Sequence, residues 1–236
     1  MNIGRGSVKV NTFYVLDFDR CLGRTERLQE LLENAVETED FVSLDMIQYA
    51  HTQVKKTGGS FDTAAYVRQV LKDRQLDVNR IWGKIETSFL TLASGEDLLE
   101  LYARELLDEL TNRQLPFGIL TYGGYEWQTA KLKAAGLYTI PHIITSYKEK
   151  GKTIAGWQRQ DGWFLIPREF LNDTVTRTVV LIDDKPVSFQ SLPPSTKGIC
   201  VAPQAPAQEI AALPSSVTVV PDLKKAIDII ATIDKP

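Results

Sequence analysis

Short apolar runs that stop abruptly at polar residues constrain this chain more than any other feature of its sequence. Runs rich in β-branched and aromatic residues are typical of strands that are buried on both faces of a parallel sheet. They occupy residues 12–16, 116–120, 142–145, 178–182 and 198–202, with a weaker run at 217–220. Helical patterns such as 126–135 and 223–233 lie among and after the later runs. This alternation predicts an α/β fold, a Rossmann-like parallel sheet with helices on both faces.

The interval of about a hundred residues between the first and second runs is far longer than one crossover helix needs. Amphipathic patterns inside it predict helices over 26–36, 42–54, 63–76 and 79–92. We therefore interpret residues 23–92 as an inserted α-helical cap, and residues 1–22 and 93–236 as the α/β core. A further helix is predicted to start at Ser94, with Asp97 in an approximate capping box. The aromatic-rich stretch 157–170 is interpreted as a small accessory hairpin.

Composition fits a globular protein that works in a reducing compartment. Hydrophobic residues make up 43% and charged residues 24% of the 236 residues, which excludes a disordered chain. A net charge of −3 offers no basic excess for nucleic acid. Two cysteines cannot build a disulfide framework, and the N-terminal apolar run is too short for a signal or a membrane span. We expect a cytoplasmic monomer or homodimer with no nucleic-acid or membrane partner.

Polar side chains stand just past the ends of the strand-like runs, where parallel sheets bind ligands. Asp17 and Asp19 follow the first run, Thr121 follows the second, and Asp183 and Asp184 follow the fourth. Like charges about 4 Å apart repel by roughly 4 kcal/mol at an effective dielectric constant near 20. Four carboxylates in one crevice therefore require a cation, and ligands that are all oxygen suit Mg²⁺.

A phosphate ester is the substrate that such a crevice favours, because bound Mg²⁺ accepts a phosphate oxygen. A lysine would pair with the phosphoryl oxygens, and three follow the third run: Lys148, Lys150 and Lys152. Thr121 and the amides of residues 123–124, at the start of a helix, would donate hydrogen bonds to the same oxygens. Asp17 is left as a nucleophile aimed at phosphorus, with Asp19 two residues away to shuttle protons.

This ordered set of residues resembles the haloacid dehalogenase (HAD) superfamily, in its phosphatase branch with a helical cap. The first motif of the family is Asp-x-Asp-x-Thr or Val after a strand, and Asp17, Asp19 and Cys21 stand at those positions. The resemblance implies that Asp17 forms an aspartyl-phosphate. It also implies that Asp19 protonates the leaving group, later activates water, and helps to bind Mg²⁺ through its backbone carbonyl. Thr121 matches the second motif, and the resemblance covers residues 12–184 with the cap in the expected place.

The third motif of the family is a lysine after the third strand. We choose Lys152, in Gly-Lys-Thr at the start of a probable helix, over Lys148, and Lys150 stays open. The fourth motif is a pair of acids, which Asp183 and Asp184 match, so the resemblance implies that both bind the metal. The alternative for Asp184 is a helix cap beside the metal ligand.

The function that follows is a Mg²⁺-dependent phosphomonoester hydrolase acting on a small phosphorylated metabolite. The residues expected to bind that substrate are Thr121, Tyr122, Gly123, Lys152 and Arg20. Asp19 argues against dehalogenation, because family members that displace a halide need no second acid. One alternative is a phosphomutase or phosphotransferase, in which an acceptor hydroxyl replaces water. Another is a catalytically weak regulatory protein that binds metal and ligand. Its only support is Cys21 and the short fourth motif, which lacks the additional acid that some family members carry a few residues after the pair.

Overall fold

The structure is a computed structural model that describes residues 8–57, 61–202 and 204–233. The chain forms two compact units, the first made of Met1–Leu22, Glu100–Thr121 and Ile140–Pro236, and the second of Gly23–Leu99 and Tyr122–Thr139. In the described part of the chain, no helix is long and apolar enough to cross a membrane.

The strands of the first unit form one sheet. They are β1 Val8–Leu16, β2 Phe117–Tyr122, β3 His142–Thr145, β4 Phe164–Leu165, β5 Thr174–Asp183, β6 Thr196–Val201 and β7 Val217–Val220. Their order across the sheet is β3-β2-β1-β5-β6-β7, and β4 pairs with β5. The pairs β1–β2, β1–β5, β5–β6 and β6–β7 are parallel, whereas β4 runs antiparallel to β5. The predicted Rossmann-like α/β fold is confirmed.

Burial on both faces explains why the central strands are continuous apolar runs. One face of β1 and β5 contributes Phe13, Val15, Val179 and Leu181 to a buried cluster. The alternate residues Tyr14, Leu16, Val180 and Ile182 are also fully buried. Full burial of such a side chain stabilises a fold by roughly 1.5–3 kcal/mol. The sheet therefore contributes hydrophobic stabilisation to this unit, and it fixes the positions of the residues that follow each strand.

Helices complete both units. The first unit contains α5 Ala103–Asn112, α7 Lys150–Ala155, α8 Ala207–Ala211 and α9 Leu223–Ile233, and a 3-10 helix over Pro186–Phe189. The second contains α1 Thr25–Thr38, α2 Leu44–Lys56, α3 Thr63–Asp73, α4 Val78–Ala93 and α6 Tyr125–Ala134. Helix α6 joins the second unit because Trp127 packs on Phe89 of α4, with ring centroids 5.7 Å apart, and Lys133 pairs with Glu86 at 2.7 Å.

The predicted start of a helix at Ser94 is wrong. Ser94 is the C-cap residue directly after α4, and the next helix begins nine residues later at Ala103. The intervening backbone makes other contacts, because Leu99 forms an antiparallel bridge with Gly23 and the N–H of Glu100 donates to the carbonyl of Leu22 at 2.8 Å. Tyr102 then adopts a left-handed φ of 67°, which interrupts the helical geometry.

Two other segments differ in detail from the interpretation of the sequence. The stretch 157–170 contains the expected hairpin, since Gln158 bridges Phe164 antiparallel and the N–H of Leu165 donates to the carbonyl of Trp157 at 2.8 Å. Its β4 strand also adds to the main sheet beside β5. Residues 204–214, where no helix is predicted above, include the short helix α8.

Candidate active site

Asp17 lies directly after β1 and is 1% exposed. Its N–H donates to the carbonyl of Ile182 at 2.9 Å, which extends the pairing of β1 with β5 past the end of the strand. Its Oδ1 accepts a hydrogen bond from the N–H of Phe18 at 2.7 Å. Its Oδ2 is buried and has no hydrogen-bond partner in the described chain. The carboxylate is therefore fixed through one oxygen and unsatisfied at the other.

Asp183 is the last residue of the neighbouring strand β5 and Asp184 follows it, and the two complete a buried acidic group. One carboxylate oxygen from each of Asp17, Asp183 and Asp184 lies within 4.8 Å of the other two. Asp183 Oδ1 accepts from the backbone N–H of Lys185 at 2.8 Å. Asp184 Oδ1, like Asp17 Oδ2, is buried without a hydrogen-bond partner among the described residues. Buried polar atoms are rarely left unsatisfied, so these two oxygens point to a missing ligand.

Lys150, the first residue of α7, is the lysine that reaches this group. Its Nζ lies 2.5 Å from Asp17 Oδ1 and 2.5 Å from Asp183 Oδ2, and its side chain is 2% exposed. The helix start is held close to the chain at Gln190, because a Cβ on Gly151 would come within 2.2 Å of the Gln190 carbonyl oxygen. Only glycine allows that approach, which places Lys150 over the two carboxylates.

This geometry corrects the choice of Lys152 as the lysine that pairs with the phosphoryl oxygens. Lys152 is exposed, and its Nζ lies 5.9 Å from the ring centroid of Tyr147. Because helical residues are separated by about 100°, two residues along α7 turn the side chain by roughly 200°, away from the face of Lys150. Lys148 is exposed as well. Of the three lysines, the structure brings Lys150 alone to Asp17 and Asp183.

The electrostatics of the group show an excess of negative charge. Burial and the charge of Asp183 raise the pKa of Asp17 to about 6, although Lys150 opposes the shift. Burial and the charge of Asp17 raise the pKa of Asp184 to about 8. Burial lowers the pKa of Lys150, but the charges of Asp17 and Asp183 raise it by more, so the pKa lies above its ordinary value. A divalent cation at the two unsatisfied oxygens would relieve this repulsion, and the all-oxygen donor set suits a hard cation such as Mg²⁺.

The remaining residues of the first and second motifs lie at the same edge of the sheet. Asp19 is half-buried, and its charge acts on both Asp17 and Lys185. The carboxylate of Asp19 is not part of the three-carboxylate group found among the described residues. Thr121 is fully buried near the end of β2, two residues beyond Ile119, which pairs with Leu16 of β1.

Three further residues were expected to bind the substrate. Arg20 is exposed and has a left-handed φ of 60° directly after Asp19. Tyr122 and Gly123 follow Thr121, and their backbone is held by Gln128, whose Nε2 donates to the carbonyl of Tyr122 at 2.9 Å. Gly123 has a φ of 150°, which favours glycine. The sequence reasoning did not find Gln128, since a lone glutamine in a helix carries no motif.

Cys21, the departure from the first motif, is a buried side chain in this region. It is 1% exposed, and its Sγ lies 3.9 Å from the carbonyl oxygen of Ile182. Burial, followed by the charge of Asp17, raises the pKa of the thiol well above its ordinary value. Cys21 is therefore a protonated, small and weakly polar residue, as the sequence indicates.

Lys185 is the charged residue of the site that sequence reasoning missed. Its Nζ lies 4.0 Å from Asp184 Oδ1, and its side chain is 43% exposed. The only available signal was its position directly after the paired acids of the fourth motif. A lysine there is read most simply as a solvated surface charge.

Comparisons with known proteins identify the fold. No protein-family model matches the sequence, and no curated protein matches it significantly. A solved structure described as a haloacid dehalogenase-like hydrolase, from Burkholderia xenovorans LB400, superposes with a TM-score of 0.62 at 17% identity. The match covers 94% of this chain and 97% of that one.

Two more solved structures resemble this chain. One is YfnB from Bacillus subtilis, provisionally designated a HAD-hydrolase and bound to magnesium, with a TM-score of 0.51, 14% identity, and coverage of 93% of this chain and 98% of that one. The other is provisionally designated a beta-phosphoglucomutase and comes from Thermotoga maritima, with a TM-score of 0.53, 10% identity, and coverage of 95% and 100%. At such identities the likeness establishes a shared fold.

Proposed function

Because this chain has the haloacid dehalogenase-like fold, we propose that it is a Mg²⁺-dependent phosphomonoester hydrolase that works through an aspartyl-phosphate on Asp17. The observation that carries the proposal is the buried group of Asp17, Asp183 and Asp184, with Lys150 bound to two of them. Two buried carboxylate oxygens without partners in the described chain fit a cation that also takes a phosphate oxygen. When bound, Mg²⁺ would neutralise the carboxylates and polarise the phosphoryl group.

Asp17 is oriented before any substrate arrives. The N–H of Phe18 and the Nζ of Lys150 both hold its Oδ1, so the carboxylate cannot rotate freely. Preorganised groups of this kind avoid the cost of reordering during the reaction. One carboxylate oxygen of Asp17 attacks phosphorus in line with the ester oxygen. The bond from phosphorus to the ester oxygen breaks, and the phosphoryl group is transferred to Asp17.

Asp19 handles the protons in both halves of the reaction. It gives a proton to the departing alkoxide, which leaves as an alcohol, and is left as a carboxylate. That carboxylate then takes a proton from a water molecule as the water oxygen attacks the aspartyl-phosphate. Inorganic phosphate leaves, and both Asp17 and Asp19 return to their starting states. A half-buried carboxyl two residues after the nucleophile is suited to this role.

The phosphoryl oxygens are bound by groups at the ends of β2 and at the start of α7. The hydroxyl of buried Thr121 and the remaining N–H proton of Lys150 supply donors. Arg20, Tyr122 and Gly123 stay our proposal for contacts to the rest of the substrate. That substrate would be a small phosphorylated metabolite.

The test is phosphate release from a generic aryl phosphate and a panel of phosphorylated metabolites, with Mg²⁺ or with a chelator. Wild type should release phosphate only when Mg²⁺ is present, and Asp17→Asn should release none while remaining folded. The matched control is Asp161→Asn, which removes an exposed carboxylate of the hairpin. Retained turnover in Asp17→Asn, or equal turnover with the chelator, contradicts the mechanism. Strong stimulation by an acceptor alcohol with little free phosphate indicates phosphoryl transfer instead.

A further inference from the structure

Lys185 is a second ammonium group beside the acidic cluster, and the mechanism above does not use it. Its backbone N–H is held by Asp183 Oδ1 at 2.8 Å, which fixes where the side chain begins. Its Nζ lies 4.0 Å from Asp184 Oδ1, beyond hydrogen-bond distance, and donates to no described residue. The ammonium is thus held near the carboxylates without being bound by them.

The two lysines of the site differ in what they can still bind. Lys150 is buried and already contacts Asp17 and Asp183, each at 2.5 Å, so two of its three donors are engaged. Lys185 keeps all three donors, and its side chain is 43% exposed. Of the two ammonium groups, that of Lys185 is therefore the one that an anion arriving from solvent can contact.

The charge balance of the site calls for such a group. When ionised, the four carboxylates of Asp17, Asp19, Asp183 and Asp184 would leave one net negative charge after Lys150 and a divalent cation are counted. A phosphate dianion would then enter a site of its own sign, unless Lys185 supplies a further positive charge. The side chain of Lys185 is 43% exposed, and a solvated lysine is protonated at neutral pH.

We propose that Lys185 binds an anionic oxygen of the substrate and so helps to select phosphate esters by charge. The proposal rests on the proposed function, because it takes the ester to be bound at Asp17. The oxygen belongs either to the phosphoryl group itself or to a second anionic group, such as a carboxylate, on the leaving group. Both sources offer the same chemistry to an ammonium, and the experiment below separates them.

The first arm measures binding without turnover. Inorganic phosphate is titrated calorimetrically into the Mg²⁺-loaded protein, with wild type, Lys185→Ala, Lys185→Arg and the control Lys197→Ala. Lys197 is an exposed lysine of β6, so its removal changes the net charge equally. If Lys185 binds the phosphoryl oxygens, Lys185→Ala weakens phosphate binding about tenfold or more, as expected for a hydrogen bond between charged groups. Lys185→Arg keeps most of the affinity, and Lys197→Ala keeps all of it.

The second arm compares two esters of similar size, ethyl phosphate and phosphoglycolate, which carries an additional carboxylate. If Lys185 binds the phosphoryl group, Lys185→Ala lowers kcat/KM equally for both. If it binds a second anion, phosphate affinity is unchanged and the loss, again about tenfold or more, is confined to phosphoglycolate. In either case Lys185→Arg restores much of the lost function.

The proposal is overturned if Lys185→Ala changes neither phosphate affinity nor either kcat/KM value. It is also overturned if the variant only tightens Mg²⁺ binding, since Lys185 would then act on the metal site alone. A wild type that binds phosphate with Mg²⁺ but hydrolyses no ester refutes the proposed hydrolase and still allows the binding arm to decide on Lys185. A wild type that does not bind phosphate refutes both.

Discussion

The Nζ of Lys150 lies 2.5 Å from Oδ1 of Asp17, and both side chains are 2% exposed. This buried ion pair links the first residue of α7 to the residue that follows β1. Because Lys150 also contacts Asp183 at 2.5 Å, three parts of the chain distant in sequence are joined at one ammonium group. The candidate site is therefore also a structural element of the first unit.

Removal of Lys150 should harm both stability and activity. Lys150→Ala leaves Asp17 and Asp183 buried without their counter-charge, and breaking such a pair typically costs about 3–5 kcal/mol. We expect a loss of that size in urea unfolding of the metal-free protein, together with loss of phosphate release. Lys152→Ala removes an exposed lysine of the same helix, so its unfolding free energy should change by less than about 0.5 kcal/mol. Equal effects of the two substitutions would contradict the placement of Lys150.

The stability of the metal-free protein should fall as the pH rises. The pKa of Asp17 is raised to about 6 and that of Asp184 to about 8, both from an ordinary value of 3.8. Between pH 3.8 and the raised pKa of each group, the folded state holds more protons than the unfolded state. The contribution of these groups to the free energy of unfolding is therefore complete near pH 3.8 and lower. It is lost as the pH rises through 6 and then 8.

Added Mg²⁺ should reverse this loss, because it binds the ionised carboxylates. The gain in unfolding free energy is about 2.7 kcal/mol when the metal is present at about 100 times its dissociation constant. We expect a larger gain near pH 8 than near pH 5 when urea unfolding is followed with Mg²⁺ and with chelator. Asp184→Asn should reduce the difference between the two pH values. A larger Mg²⁺ gain at the lower pH would contradict the assignment.

Substitution of Asp19 should affect esters according to their leaving groups. Asp19→Asn cannot protonate the departing oxygen, and general acid catalysis is typically worth about 10²–10⁴ in rate. An alkyl phosphate releases a strongly basic alkoxide, so we expect a loss in that range for its kcat/KM, which reports the transfer of the phosphoryl group to Asp17 and not the later hydrolysis. A nitrophenyl phosphate releases a stable phenolate, and its kcat/KM should fall far less. The measurement is kcat/KM for both esters, and an equal loss of kcat/KM for both would indicate that Asp19 does not act as the acid.

Gly151 should tolerate no side chain. A Cβ there would lie 2.2 Å from the carbonyl oxygen of Gln190, so Gly151→Ala must displace the start of α7 and with it Lys150. Overpacking of this kind typically costs about 1–3 kcal/mol, and phosphate release should fall as well. Gly83→Ala is the control, because nothing lies within 4 Å of its Cβ in α4. It should stabilise the protein by roughly 0.5–1 kcal/mol, as measured by urea unfolding.

The sheet could be predicted because the ends of its central strands β1 and β5 are buried on both faces. That burial requires uninterrupted apolar residues, so the ends of β1 and β5 are visible in the sequence as the change to Asp17 and Asp183. The start of α5 could not be predicted. It depends on the bridge of Leu99 with Gly23 and the left-handed φ of Tyr102, and neither leaves a local pattern.

The site shows the same division between local and long-range information. The acids follow strands, so their positions are fixed by a pattern that the sequence carries. The identity of the lysine depends on where α7 begins, and Glu149 provides no side-chain cap to mark that start. The sequence therefore favoured exposed Lys152, which lies two residues along the helix from buried Lys150. Lys185 was missed because its role depends on which charges lie around it in space.

The hydrogen bond between the N–H of Glu100 and the carbonyl of Leu22 has an evolutionary consequence. The chain leaves the first unit after Leu22 and returns to it at Glu100, and these two residues are adjacent. Residues 23–99 are therefore a closed loop with respect to the first unit. Each doubling of such a loop costs only about 0.6 kcal/mol in closure entropy. Insertions of very different length can therefore be exchanged at this junction while the register of the sheet stays unchanged.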